Sequence, residues 1–186
     1  MRKTAILILV TAGLMFAAPS LLRADDDDHR REHPRREHPR RGRDRGTFLA
    51  RTASLPAYEK ECGSCHLAFP PGLLPARSWL RLLDGLEAHF DQNAELEAAP
   101  RAEIAAWLVT QAAEAGTSPW SGKVVKAAAG DTPLRISELG FMRHEHDEIR
   151  RDVWARPTVQ SRAHCGACHL DAEQWAFDED RARIPR

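Results

Sequence analysis

The chain has 186 residues, with 27 Lys and Arg, 27 Asp and Glu, 9 His, 4 Cys and 3 Met. At roughly 150 residues per domain that allows one domain or two small ones, too short for most multi-substrate enzymes. The neutral sum hides unlike segments. Residues 47–186 hold 16 basic against 20 acidic side chains, which excludes a nucleic-acid-binding core with its clustered positive charge.

Arg2 and Lys3, followed by an apolar run from Ala5 to Ala18, predict a secretory signal peptide over residues 1–24, with small residues at Ala18 and Ala24 for cleavage. Pro19 interrupts the run, which is shorter than the ~20 residues of a membrane-spanning helix. Export to the periplasm is expected. Residues 25–46 then change character: Asp25–Asp28, two copies of Arg-Arg-Glu-His-Pro, and an Arg-rich end. With no apolar residue to anchor it, this segment is read as a disordered charged arm. His29, His33 and His38 lie in it and are assigned no chemistry.

One five-residue pattern takes all four cysteines: Cys62-Gly63-Ser64-Cys65-His66 and Cys165-Gly166-Ala167-Cys168-His169. Cys-x-x-Cys-His is the attachment pattern for c-type haem. Two thiols three positions apart on a turn can each form a thioether to the same porphyrin, and the adjacent histidine then projects its imidazole at the iron. Gly63 and Gly166 are read as removing bulk where the backbone lies against the macrocycle. A four-thiolate zinc site fits poorly, because 99 residues separate the pairs and zinc does not explain a histidine after each. Disulfides or redox dithiols are the other uses of such pairs. Two copies of the full pattern, with no cysteine elsewhere, favour two covalently bound haem c groups.

The second axial ligand of a six-coordinate haem is usually Met or His, Met giving the higher potential. Met1 and Met15 lie in the signal, so Met142 is the one methionine beyond it. Beyond His66 and His169, the histidines after the arm are His89, His144, His146 and His164. His164 adjoins Cys165 and is poorly placed to reach the far side of that haem. Over 78–90, Trp79, Leu82, Leu83, Leu86 and Phe90 recur at helical spacing with His89 on the same side and Ser78 as N-cap. Over 141–153, a helix would align Met142, His146, Ile149 and Val153, which favours His146 and leaves His144 and Met142 as alternatives.

A mainly α chain is expected, a small two-lobed c-type cytochrome with one covalent haem per lobe and little or no sheet. The lobes are residues 47–118 and 119–186. A helix is predicted near 100–115, with Ile104, Trp107, Leu108, Gln111, Ala112 and Ala115 on one face and Gly116 as its stop. Residues 116–133, rich in Gly, Ser, Pro and Ala, are read as connection. So short a chain is marginal for two separate cores, and porphyrins would act as apolar filling. Trp79, Trp107, Trp120, Trp154 and Trp175 are read as packing around them.

Outside the motifs, the segments Leu74–Trp79, His89–Phe90, Ala94–Leu96, Ile104–Leu108, Arg135–Glu138, Glu145–Ile149, Ser161–Ala163 and Ile184–Arg186 make the chain resemble the small dihaem cytochrome c family of exported bacterial electron carriers. That resemblance covers most of 55–186 and leaves out the arm. It implies bis-histidine ligation at both haems, His66 with His89 and His169 with His146. It also implies an oxygen-binding monohaem cytochrome c and a membrane b-type cytochrome as redox partners. One-electron transfer without acid or base groups is the expected function. The alternatives are a dihaem peroxidase or small-molecule reductase, or a haem sensor. Each of those needs an exchangeable axial site, and one well-placed histidine per iron argues against it.

Overall fold

The computed structural model of the chain describes residues 54–186. The predicted signal (1–24) and arm (25–46) lie outside the described residues. Six α-helices joined by short 3₁₀ turns make up the structure, and among the described residues there is no strand, only an isolated bridge between His89 and Gln92. The expected mainly α class without a sheet is therefore met.

Helix α1 (Pro56–Cys62) begins on a proline whose missing N–H costs nothing there, and it runs straight into the first haem motif. Helix α2 (Ala76–Leu83) starts earlier than expected, with Pro75 at the N-cap. Ser78 is thus inside the first turn, where its buried hydroxyl has no hydrogen-bond partner. The cap comes from far along the chain: the Ala76 N–H donates to the Glu114 carboxylate at 2.9 Å. Helix α2 also stops short of His89, at Asp84-Gly85. Arg101 seals that end, its Nε donating to the Leu83 carbonyl at 2.9 Å and its guanidinium to Asp84 at 2.7 Å.

Helix α3 (Ala98–Gln111) is shifted toward the N-terminus of the predicted 100–115. Ile104, Leu108 and Ala112 are buried as the stripe requires, whereas Ala115 is exposed. A 3₁₀ turn at Ala113–Ala115 follows, and Gly116 ends it in the left-handed conformation at φ 69°. The supposed connection over 116–133 contains helix α4 (Ser121–Ala128), a correction to the sequence reading. Its small residues hide a buried face of Ser121, Val124 and Ala128. Two serines start it, the Ser118 N–H donating to Ser121 Oγ and the Trp120 N–H to Ser118 Oγ, both at 3.1 Å. The single helix expected over 141–153 is two, α5 (Gly140–His144) and α6 (Arg151–Trp154), with turns between.

One apolar cluster gathers Tyr58, Trp79, Ile104 and Leu108 with Val124, Leu139 and Trp175. It therefore draws on both segments, 47–118 and 119–186. Its aromatic residues bury their rings and pair their polar ends: Tyr58 Oη donates to the Phe69 carbonyl at 2.6 Å and Trp79 Nε1 to the Pro71 carbonyl at 2.7 Å. Trp175 Nε1 donates to the Ala68 carbonyl at 2.7 Å, across 107 residues of sequence. That bond joins the backbone just after the first motif to the segment just after the second.

Trp175→Phe keeps an aromatic ring but leaves the buried Ala68 carbonyl unpaired, and is expected to cost roughly 1–3 kcal/mol. Leu80→Ala, at a position 42% exposed, should stay within about 0.5 kcal/mol of the parent. Denaturant midpoints of the haem-loaded proteins check both.

Candidate functional site

Helix α1 delivers Cys62, and Gly63 closes it by donating its N–H to the Glu59 carbonyl at 3.0 Å. A side chain at Gly63 would collide with that carbonyl, so the helix end itself requires glycine there. Gly166, by contrast, has open space around the position of a side chain. At the second motif a 3₁₀ turn (Cys165–Ala167) carries the cysteines, and the His169 N–H donates back to the Cys165 carbonyl at 2.9 Å. Burial, aided by Glu61, pushes the Cys62 thiol up to about 11, and burial pushes Cys165 up to about 11. Cys168 is raised by burial as well. A redox dithiol needs a lowered thiol pKa, and these shifts run the other way.

Each motif histidine faces one other histidine. The His66 and His89 ring centroids are 6.2 Å apart, and so are those of His146 and His169. Two metal–imidazole bonds of about 2 Å, plus the ring radii, put the centroids of two trans ligands about 6 Å apart. His66 Nδ1 lies 2.8 Å from the Leu67 carbonyl and His146 Nδ1 2.8 Å from the Met142 carbonyl. A proton on each Nδ1 satisfies those contacts and leaves Nε2 with its lone pair. His169 Nδ1 is buried without a partner. Burial, the facing His66 and the nearby Arg135 hold His89 below the ordinary imidazole range, and burial with His146 does the same to His169. A neutral imidazole is the ligating form.

Among the described residues, the remaining histidines are elsewhere. His144, with its side chain 81% exposed, is 3.1 Å from Asp147. His164 Nδ1 is 3.1 Å from the Val159 carbonyl. Met142 contributes its carbonyl to His146, while its side chain packs against the apolar cluster.

His89 is delivered by a turn and not by the helix expected over 78–90. The loop is closed by the Ala94 N–H on the Leu86 carbonyl at 2.8 Å and the Gln92 N–H on the His89 carbonyl at 3.1 Å. Phe90 and Asp91, at φ 49° and 70°, lie in the left-handed region that non-glycine residues avoid. The Arg135 guanidinium sits 4.0 Å over the Phe90 ring. At the other site Trp154 lies 6.1 Å from His146, with the Arg162 guanidinium 4.6 Å over the Trp154 ring. Phe69 lies 5.2 Å from His66 and Phe177 5.5 Å from His169. Phe69 and Phe177 were not singled out by the sequence reading, and Arg162 entered it only within the segment Ser161–Ala163. Phe69 follows His66 by three positions, a local cue, but nothing local marks Phe177.

The donor set fits haem. Among the described residues, no group of three or more His, Cys, Asp or Glu is placed to hold a bare metal ion. A porphyrin brings its own four in-plane nitrogens and asks the chain for axial ligands and two thioether sulfurs. Cys62 and Cys65 would hold one haem and Cys165 and Cys168 the other.

Residues 58–177 match the family described as dihaem cytochrome c. A diheme cytochrome c from Rhodobacter sphaeroides is 38% identical, with a TM-score of 0.61 over 67% of this chain and 98% of that one. A diheme cytochrome type c from Shewanella baltica OS155 is 37% identical, with a TM-score of 0.58 over 70% of this chain and 92% of that one. No curated protein sequence matches the chain. With the motif at both ends of one helical fold and most of that fold shared with solved diheme proteins, the chain belongs to the dihaem cytochrome c family and binds two covalently attached haem c groups.

Proposed function

We propose that the protein is an exported one-electron carrier whose haems are both low-spin and bis-histidine ligated, His66 with His89 and His169 with His146. The observation that carries this reading is the pair of 6.2 Å imidazole separations. When bound, each haem supplies an iron that cycles between ferric and ferrous. The chain holds, insulates and tunes it. The Leu67 and Met142 carbonyls fix the tautomers of His66 and His146, and burial favours the neutral forms of His89 and His169. His66 with His89 and His169 with His146 would leave no axial position open to a substrate, which supports a carrier and not an enzyme.

Export to the periplasm rests on the predicted signal of Arg2, Lys3 and the run Ala5–Ala18. Among the described residues no helix is long and apolar enough to cross a membrane. The acidic excess of residues 47–186, 20 against 16, favours redox partners with basic contact surfaces. By family resemblance these are an oxygen-binding monohaem cytochrome c and a membrane b-type cytochrome.

The ferric holoprotein is expected to show only low-spin iron, and the reduced protein to bind carbon monoxide poorly. His89→Ala and His146→Ala should each open one haem to carbon monoxide, and His144→Ala should open neither. High-spin iron in the parent, or an opened haem in His144→Ala, overturns the ligand assignment. The paired substitution Cys165→Ser with Cys168→Ser should lower the covalent haem content from two to one, read by intact mass. Retention of two covalent haems would contradict the attachment sites.

A further inference from the structure

Both distal histidines lie beside an aromatic ring that is tilted 60° or 59° to the imidazole and carries a guanidinium over its face. Phe90 lies 4.7 Å from His89 and carries Arg135 at 4.0 Å. Trp154 lies 6.1 Å from His146 and carries Arg162 at 4.6 Å. An aromatic ring beside an imidazole blocks its rotation about the Cβ–Cγ bond, and a guanidinium stacked on that aromatic restrains it in turn. The outcome differs between the sites. The His66 and His89 planes are inclined at only 23°, whereas those of His146 and His169 stand at 81°.

We propose that Arg135 and Arg162, acting through Phe90 and Trp154, are positioning residues that hold the two axial pairs at different mutual rotations, so that the two haems are electronically unlike. The proposal rests on the ligand assignment above. Its physical basis is the π donation of an imidazole into the iron d orbital normal to its ring plane. Two parallel rings act on the same orbital and split the iron's π-type pair, and the single hole of the low-spin ferric ion gains from that splitting. Two perpendicular rings act on one orbital each and leave the pair nearly degenerate. The filled ferrous set gains nothing in either case, so this contribution favours the ferric state at the His66–His89 site. Near-degeneracy at the His146–His169 site leaves a large orbital moment and a very anisotropic g tensor.

Low-temperature EPR of the fully oxidised holoprotein tests this. Two low-spin signals in equal amount are expected, one with three resolved rhombic features and one with a single large g value and broad remaining components. His89→Ala should remove the rhombic signal and leave the large-g one, and His146→Ala the reverse. Arg135→Gln should shift the rhombic signal alone and Arg162→Gln the large-g signal alone, with Arg→Lys restoring part of each shift. Both haems remain low-spin in these arginine variants. Two parent signals of one type, or the reverse assignment, overturn the inequivalence and leave the ligand assignment standing. Arginine variants with unshifted signals overturn the positioning role. High-spin iron in the parent overturns the ligand assignment and this proposal with it. Should any variant fail to fold, the parent spectrum by itself decides the inequivalence.

Discussion

Two imidazoles held 6.2 Å apart by residues distant in sequence are the constraint on which the rest of this structure depends. One member of each pair comes almost free, because Cys-x-x-Cys-His is a local unit that builds its own turn. The other has to be delivered by tertiary structure. The sealing of α2 by Arg101, the Leu86–Ala94 closure and the Phe90–Arg135 stack all converge on His89. The Met142 carbonyl and Trp154 do the same for His146. The short helices are supports for two turns.

The motifs and the histidines that face them were legible in the sequence because chemistry limits the choices: four cysteines, one methionine beyond the signal and few histidines after the arm. The backbone that presents them was less legible. Leu82, Leu83, Leu86 and Phe90 have helical spacing, yet Asp84-Gly85 ends the helix, and His89 reaches His66 from a turn. Ser78 has the composition of a cap, but the carboxylate that caps α2 belongs to Glu114, which no local window contains. Helix α4 was missed for a related reason. Gly, Ser and Ala carry little hydrophobic signal, and its burial is decided by Val124 and by neighbours far along the chain. His146 was picked out by a continuous helical stripe over 141–153 that the structure breaks. Helix α5 ends at His144, two residues before His146, and it is the His146 imidazole, not its amide, that reaches the Met142 carbonyl.

Size explains why both segments contribute to one apolar cluster. A chain this short is poorly served by two cores that each bury their own surface. Segments 47–118 and 119–186 each provide one motif and one facing histidine, and both contribute to the cluster that holds Trp79, Ile104 and Trp175. The Trp175–Ala68 hydrogen bond lies in this shared region, between the residues that follow His169 and those that follow His66. The surface ion pairs add little by comparison. Lys123–Glu145, for example, has side chains 50% and 44% exposed, and such pairs contribute about 0–1 kcal/mol.

In the proposed function, with His89 as an iron ligand, electron transfer works best when that imidazole stays where it is as the iron changes charge, since any motion must be reorganised at each transfer. A turn is an unlikely-looking place for such a ligand unless its conformation is fixed from several sides. Phe90 in the left-handed region costs about 1–2 kcal/mol, and such conformations persist only where the surroundings over-determine them. Here the surroundings do so: two backbone hydrogen bonds close the loop and a cation stacks on the strained residue's own ring. That stack contributes about 0.5–2 kcal/mol depending on its exposure, comparable to the strain. The strain and its restraint therefore act on the same residue, next to the imidazole that has to be held still.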